Sequence, residues 1–414
     1  MTLPPVPFRT YVLKSANRCN IDCDYCYVFH APDQAWRRLP ARMGVEVARA
    51  AGERIREHAI AHGLPTVDVV LHGGEPLLAG RRHTHALLTA LREEIRTAAG
   101  PEVRFEVQTN GTLLTEGWLD LFEEFDVRVG VSLDGPPHAN DRHRLTRTSR
   151  STAAAAERGI RLLRTRPHLF AGLLAVVDLA FDPEEVHDHL AAFQPPLIDF
   201  GLPHATHDAP PPRNDPSLPE YGIWLSGVYD AWLARPGYRH GIRVLEDIAA
   251  LSVGVRGSVE SLGLAPPTTV VIESDGSIEG VDTLRSVEEG ASWLGLDVFG
   301  STLDEAARHP KLRHRRLGKD ALAEQCRSCA LVEVCGGGYL PHRFSTGRGY
   351  RNPSVYCADL EHLIGHVQGS LRRHGWDLRA TARSPSWPRD PHRGEAERVD
   401  RINAPEQGRQ EGLV

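Results

Sequence analysis

An α/β fold with a parallel sheet is the architecture this sequence predicts, on three observations. Six short apolar, β-branched runs alternate with six longer stretches of helical periodicity. The runs are nearly continuous in apolar character, which suits parallel strands covered by helices. Several of them end in polar, glycine-rich tails (HGGEP, QTNG, SLDG), at the strand edge where parallel α/β folds carry their sites. Six βα units of this length fit either a partial α/β barrel or a doubly wound sheet.

Taken in order, the first strand is expected in RTYVLKS (9–15), before a cysteine-rich loop and a helix near 44–62. TVDVVLHGG (66–74) precedes a helix near 82–98, EVRFEVQTNG (102–111) one near 115–125, and DVRVGVSLDG (126–135) one near 151–166. FAGLLAVVDLA (170–180) is followed by a helix near 183–193 and LIDFGLPHA (197–205) by one near 219–234, with PHATHDAPPPRNDPSLPE (203–220) between them as a proline-rich loop. A helix near 240–253 leads to TTVVIESDGSIEGVDTL (268–284), a hairpin turning at Asp275-Gly276. From about Ala380 the chain mixes charge, proline and glycine with few large apolar groups and is expected to be disordered. The expected units are therefore 1–235, 236–379 and a tail, 380–414.

The chain has 414 residues, 41% hydrophobic and 25% charged, and a net charge of −6, which argues against a nucleic-acid partner. Its start, MTLPPVPFRTYVLK, lacks an export signal, and no window is apolar enough to span a membrane, so the cytoplasm is the expected location. The seven cysteines cannot all pair in disulfides, and their tight grouping points to metal ligation.

The first group, in RCNIDCDYCYVF (18–29), is Cys19, Cys23 and Cys26. Three thiolates can each take one iron of a cubane cluster and leave the fourth iron without a protein ligand, open to a small molecule. A structural zinc completed by His30 is the competing reading.

This spacing, with Tyr25 just before the last cysteine, resembles the signature of the radical S-adenosylmethionine (radical SAM) enzymes. The resemblance implies a [4Fe-4S] cluster on Cys19, Cys23 and Cys26 whose open iron chelates SAM, and a partial six-stranded (β/α)6 TIM-like barrel over about residues 9–235. It implies SAM contacts at Tyr25, at Gly73, Gly74 and Glu75 of HGGEP for the methionine ammonium, at Asn110, Ser132 and Asp134 for carboxylate and ribose, and at Arg144 for the carboxylate. Each of these short motifs alone also reads as turn chemistry at a strand end. Their order behind the cysteine loop is what makes the combination specific.

The second group is Cys326, Cys329, Cys335 and Cys357, enough thiolates to saturate a four-iron cluster or one zinc. It looks like the SPASM extension of peptide-modifying radical SAM enzymes, which implies a second, auxiliary [4Fe-4S] cluster in a C-terminal domain. Full SPASM domains hold two auxiliary clusters; here Val281 or its neighbours and Tyr339 stand where ligands of the nearer one are expected, so two clusters in total are expected. Asp282 is similar in placement to a catalytic base of the anaerobic sulfatase-maturing enzymes, and burial is expected to raise its pKa; a hairpin-end aspartate bonded to backbone amides reads equally well.

CGGGYLPHR, NPSVYCADL, DGSIEGVDTL and the opening RCNIDCDYCYVFH together resemble the FxsB-type radical SAM/SPASM maturases. That resemblance implies a ribosomally made precursor peptide as substrate, loss of two hydrogens, and a cyclophane cross-link from a side-chain β-carbon to an aromatic ring. It also implies an external electron donor of flavodoxin or ferredoxin type. A sulfatase-type maturase making formylglycine, and a non-catalytic zinc protein, are the alternatives. His204 and His207 read as loop histidines, and His342 and Arg343 as supports of the auxiliary centre. With the first strand near residue 8, no separate leader-binding domain is expected before the barrel.

Overall fold

The computed structural model describes residues 6–235, 237, 240–376 and 378. The expected disordered tail, 380–414, lies outside them.

All six expected strands form: β1 (Thr10–Ala16), then, beyond a three-residue β2 (Ile21–Cys23), β3 (Thr66–Gly73), β4 (Glu102–Thr109) and β5 (Val127–Ser132). After a short β6 (Arg144–Thr146) come β7 (Phe170–Val176) and β8 (Leu197–Gly201). Between them run α1 (Val45–Ala61), α2 (Arg81–Ile95), α3 (Glu116–Phe125), α4 (Pro137–His143), α5 (Ala153–Leu163), α6 (Pro183–Ala191) and α7 (Glu220–Ala234). The six main strands pair in parallel in sequence order, β1-β3-β4-β5-β7-β8. A doubly wound sheet would reverse direction part-way, so the barrel-type alternative is the one realised. Right-handed crossovers in that order put the helices on one face and leave the other as an inner wall.

The strands correct the sequence reading in one respect. β3 and β5 alternate rather than run continuously apolar, with Val67, Val69 and Leu71 and Val127, Val129 and Val131 buried in the main core, whereas β7 is apolar throughout. Most of the intervening positions carry polar side chains, some paired across strands, as Arg104 with Asp68 and Gln108 with Ser132. An inner wall of this kind cannot close into a dry core and lines a cavity instead.

The sheet also extends past both ends of the six strands. A two-residue β9 (Gly241–Ile242) before α8 (Arg243–Ser252) pairs in parallel with β8. At the other edge the expected hairpin, β10 (Thr269–Ile272) and β11 (Ser277–Glu279), joins in parallel with β1 through β10, and β12 (Trp293–Asp297) completes an antiparallel edge. Short helices α9 (Leu303–Arg308), α10 (Arg313–Arg316), α11 (Glu324–Arg327) and α12 (Val332–Cys335) lead to α13 (Cys357–Arg373), which packs against α7 and α8. No helix of the described residues is long and apolar enough to cross a membrane.

Candidate functional site

The C-terminal ends of the strands open onto a cavity of about 670 Å³. Its wall includes Cys19, Cys23 and Cys26, Gly73 and Gly74, Asn110, Ser132, Arg144 and Asp282, so the structure brings most of the expected residues to one space.

Local bonding explains how the cysteine loop is held. β2 pairs antiparallel with β6, setting Cys23 opposite Arg144. Tyr25 donates its hydroxyl hydrogen to Asp134 and receives a hydrogen bond from Arg144 Nη1 at 2.9 Å. Asp134 also accepts from the Val176 amide at 3.1 Å, so the loop is tied to the ends of both β5 and β7. Burial pushes the Cys19 and Cys23 thiols up to about 11 and about 12, the neutral form that a bound metal ion displaces.

Two of the residues expected to contact SAM, Glu75 and Asp134, are also bonded to the strand ends. Glu75 is fully buried, accepting from the Leu77 amide, the Thr109 hydroxyl and the Asn110 amide at 2.9, 2.7 and 2.8 Å, and it is not part of the cavity wall. Neither is Asp134. Both carboxylates lock strand ends behind the wall. The glycines before Glu75 do face the cavity, and their lack of a side chain is required: a Cβ on Gly73, at φ +149°, would lie 1.9 Å from the Ala16 carbonyl oxygen.

In the same cavity wall, Asp282 forms a buried ion pair with Lys14 and accepts from the Tyr27 hydroxyl at 2.9 Å. Lys14 also reaches His72 Nδ1 at 3.0 Å. The expected raised pKa is overturned: burial pushes Asp282 up, but Lys14, His72 and Tyr27 outweigh it and hold the carboxyl well below its ordinary range. Burial and the Lys14 charge bring His72 down to about 3, leaving it neutral. Sequence reasoning missed Lys14, Tyr27 and His72. The signal available was a lysine inside an otherwise apolar strand run.

Around Asp282 the wall is aromatic. His204 meets the Tyr27 ring edge-on at 5.0 Å, and Tyr339 shares a 2.5 Å hydrogen bond with Thr283. Val281 packs with Leu284, Val287, Leu340 and Phe344 in a small apolar cluster. His204 thus lines the cavity, whereas His207 contacts the Pro353 carbonyl at 2.8 Å.

The second cysteine group gathers around α11, α12 and the start of α13, with Cys326 buried, Cys329 exposed, and Cys335 and Cys357 half-buried. The chain escapes α12 through Gly336, Gly337 and Gly338, all at positive φ. A Cβ on Gly336 would lie 1.8 Å from the Gly263 carbonyl oxygen. Among the described residues no three of these sulfurs, in either group, lie within 4.8 Å of one another. A single zinc would draw them to about 3.8 Å, given a Zn–S bond of about 2.3 Å. A four-iron cluster takes one thiolate per iron and holds its sulfurs farther apart than a single zinc does. His30, the fourth ligand of the zinc reading, bonds to Asp22 at 2.8 Å instead.

Residues 13–186 match the model of the radical SAM superfamily. The chain is 28% identical over 382 residues to the serine-type anaerobic sulfatase-maturating enzyme of Klebsiella aerogenes, covering 90% of this chain and 88% of that one. It is 31% identical over 388 residues to an uncharacterized protein of Synechocystis sp., covering 88% and 93%. In structure it resembles native anSMEcpe with bound AdoMet and Cp18Cys peptide, with TM-score 0.75, 21% identity and coverage of 89% and 98%.

Proposed function

The chain belongs to the radical SAM superfamily and has its α/β fold, and from that premise we propose that it is a peptide-modifying enzyme that cleaves SAM and removes two hydrogens from a ribosomally made precursor peptide. The observation that carries this reading is the cavity whose wall holds Cys19, Cys23 and Cys26 together with Asp282, the carboxylate ion-paired to Lys14.

The donor sets fit the implied groups. Cys19, Cys23 and Cys26 would hold a [4Fe-4S] cluster with SAM, and Cys326, Cys329, Cys335 and Cys357 an auxiliary one; the shared cavity wall of the first three and the glycine-lined approach at Gly73 and Gly74 support this. When bound, these groups supply a 5′-deoxyadenosyl radical and an acceptor for one electron. The protein's part is binding and proton handling. Gly73, Gly74, Asn110, Ser132 and Arg144 offer polar atoms to SAM, while Tyr25, Glu75 and Asp134 hold that wall in place. Tyr27, His204 and Tyr339 offer rings to a peptide side chain beside Asp282. Asp282, ionised and aimed into the cavity, takes the proton released as the product closes. A carboxylate held low is a weak base, but the carbon that loses the proton is simultaneously losing an electron and is strongly acidic.

In the favoured reading the product is a cyclophane linkage between a β-carbon and an aromatic ring. A formylglycine product is the second, favoured by the near full-length similarity to the Klebsiella aerogenes enzyme. The division near residue 236 into a SAM-cleaving unit and an auxiliary unit, and a flavodoxin- or ferredoxin-type donor, belong to the same proposal. The test is anaerobic incubation of reduced enzyme with SAM and candidate peptides. A product two hydrogens lighter, without a carbonyl, supports the cyclophane; an aldehyde supports formylglycine; 5′-deoxyadenosine with no peptide change in any candidate contradicts both.

A further inference from the structure

Arg343 is 7% exposed, and its Nε has no hydrogen-bond partner. Among the described residues it forms no ion pair, unlike the other deeply buried arginines: Arg285 lies 2.8 Å from Glu273 and 3.0 Å from Glu279, and Arg144 lies 3.9 Å from Asp134. An unpaired guanidinium in the interior is costly, so a buried arginine without an acid calls for another anion.

The neighbourhood identifies one. A Cβ built on Gly337 would sit 3.4 Å from Arg343 Nη1, which places the guanidinium over the backbone two residues beyond Cys335. The Gly337 amide in turn points at the Cys335 thiol, and Arg343 lies within electrostatic reach of Cys326 and Cys335. The adjoining hollow, about 50 Å³ between Gly336, Gly338, Leu322 and His314, has room for little more than water.

We propose that Arg343 is the buried counter-charge of the four-cysteine centre and raises its reduction potential. The inference rests on the reading that the quartet holds an iron–sulfur cluster. Four thiolates give such a centre net negative charge, and reduction by one electron adds one more. A fixed cation beside it stabilises the reduced form more than the oxidised form, and burial keeps water from screening the effect. Arg343 therefore makes the centre a better acceptor for the electron that leaves the substrate, without touching SAM or peptide. It is a positioning residue of charge, not a catalytic one.

The test is an EPR-monitored redox titration of anaerobically purified holoenzyme with dithionite and mediators, comparing wild type, Arg343→Gln and Arg343→Lys. In Arg343→Gln the reduced-to-oxidised ratio of the C-terminal centre at a fixed potential should fall about tenfold, or about 59 mV for a one-electron couple. Arg343→Lys should retain most of the wild-type value, and the N-terminal centre should not move in either. Should Arg343→Gln fail to hold its C-terminal iron, Arg343→Lys decides: a midpoint near wild type supports the charge, and loss of iron there too overturns it. Fully loaded Arg343→Gln with an unshifted midpoint, or equal shifts in both centres, also overturns it. Iron for only one centre in the wild type overturns the reading of the quartet itself, a distinct result.

Discussion

Burial alone would push the Asp282 carboxyl up, and its partners reverse the direction. Lys14 and Asp282 are both nearly inaccessible, so removing one member leaves an uncompensated charge in the interior. Lys14→Met should destabilise the protein by about 3–5 kcal/mol in chemical denaturation, and adding Asp282→Asn should recover much of that loss. In activity, Asp282→Asn should still form 5′-deoxyadenosine while modified peptide falls at least about tenfold, within the range general acid–base groups contribute. Unchanged product yield would remove the carboxylate from the mechanism. The cysteines and Asp282 were legible in the sequence because their spacing is local or they sit in a recognisable motif. Lys14 and His72 were not, because a polar residue in an apolar strand run does not name its partner and the Lys14–Asp282 pair spans 268 positions. Glu75 and Asp134 were read as SAM contacts, and a strand-end motif does not show that each also accepts a backbone amide of a neighbouring strand end.

The six βα units were readable because each apolar run is followed by a helical period. What periodicity could not show was pairing between distant pieces: β2 with β6, which anchors the cysteine loop, and β10 with β1, which continues the barrel sheet with the hairpin that carries Asp282. Short segments of two or three residues have too little pattern to register. At this scale the glycine run after α12 gives a direct test. Gly336 sits at φ +61° with the Gly263 carbonyl where a Cβ would go, so Gly336→Ala must displace the backbone that carries Cys335. About half of the iron should be lost, all from the C-terminal centre, while 5′-deoxyadenosine formation remains. Full iron content in that variant would show that the turn does not position the ligand.

Across the whole molecule, buried and half-buried histidines set a pH limit. Burial brings His72 and His342 down to about 3, and His58 and His204 down to about 4. The unfolded chain binds these protons near pH 6.5 and the folded chain does not. Stability is therefore complete above about pH 7 and falls as pH drops from about 6.5 toward 4. Thermal denaturation should show a melting temperature several degrees lower at pH 5 than at pH 7.5, and a flat profile across that range would contradict the neutral, buried state of these rings. The same cavity that buries His72 and His204 joins the two halves of the proposed chemistry, so the central claim is best tested where that chemistry begins. The most direct measurement is 5′-deoxyadenosine released from SAM by dithionite-reduced, iron-loaded enzyme, wild type against Cys23→Ala. Release by the wild type and its loss in the variant are the predicted result; equal release from both, or none from iron-replete wild type, would contradict the account.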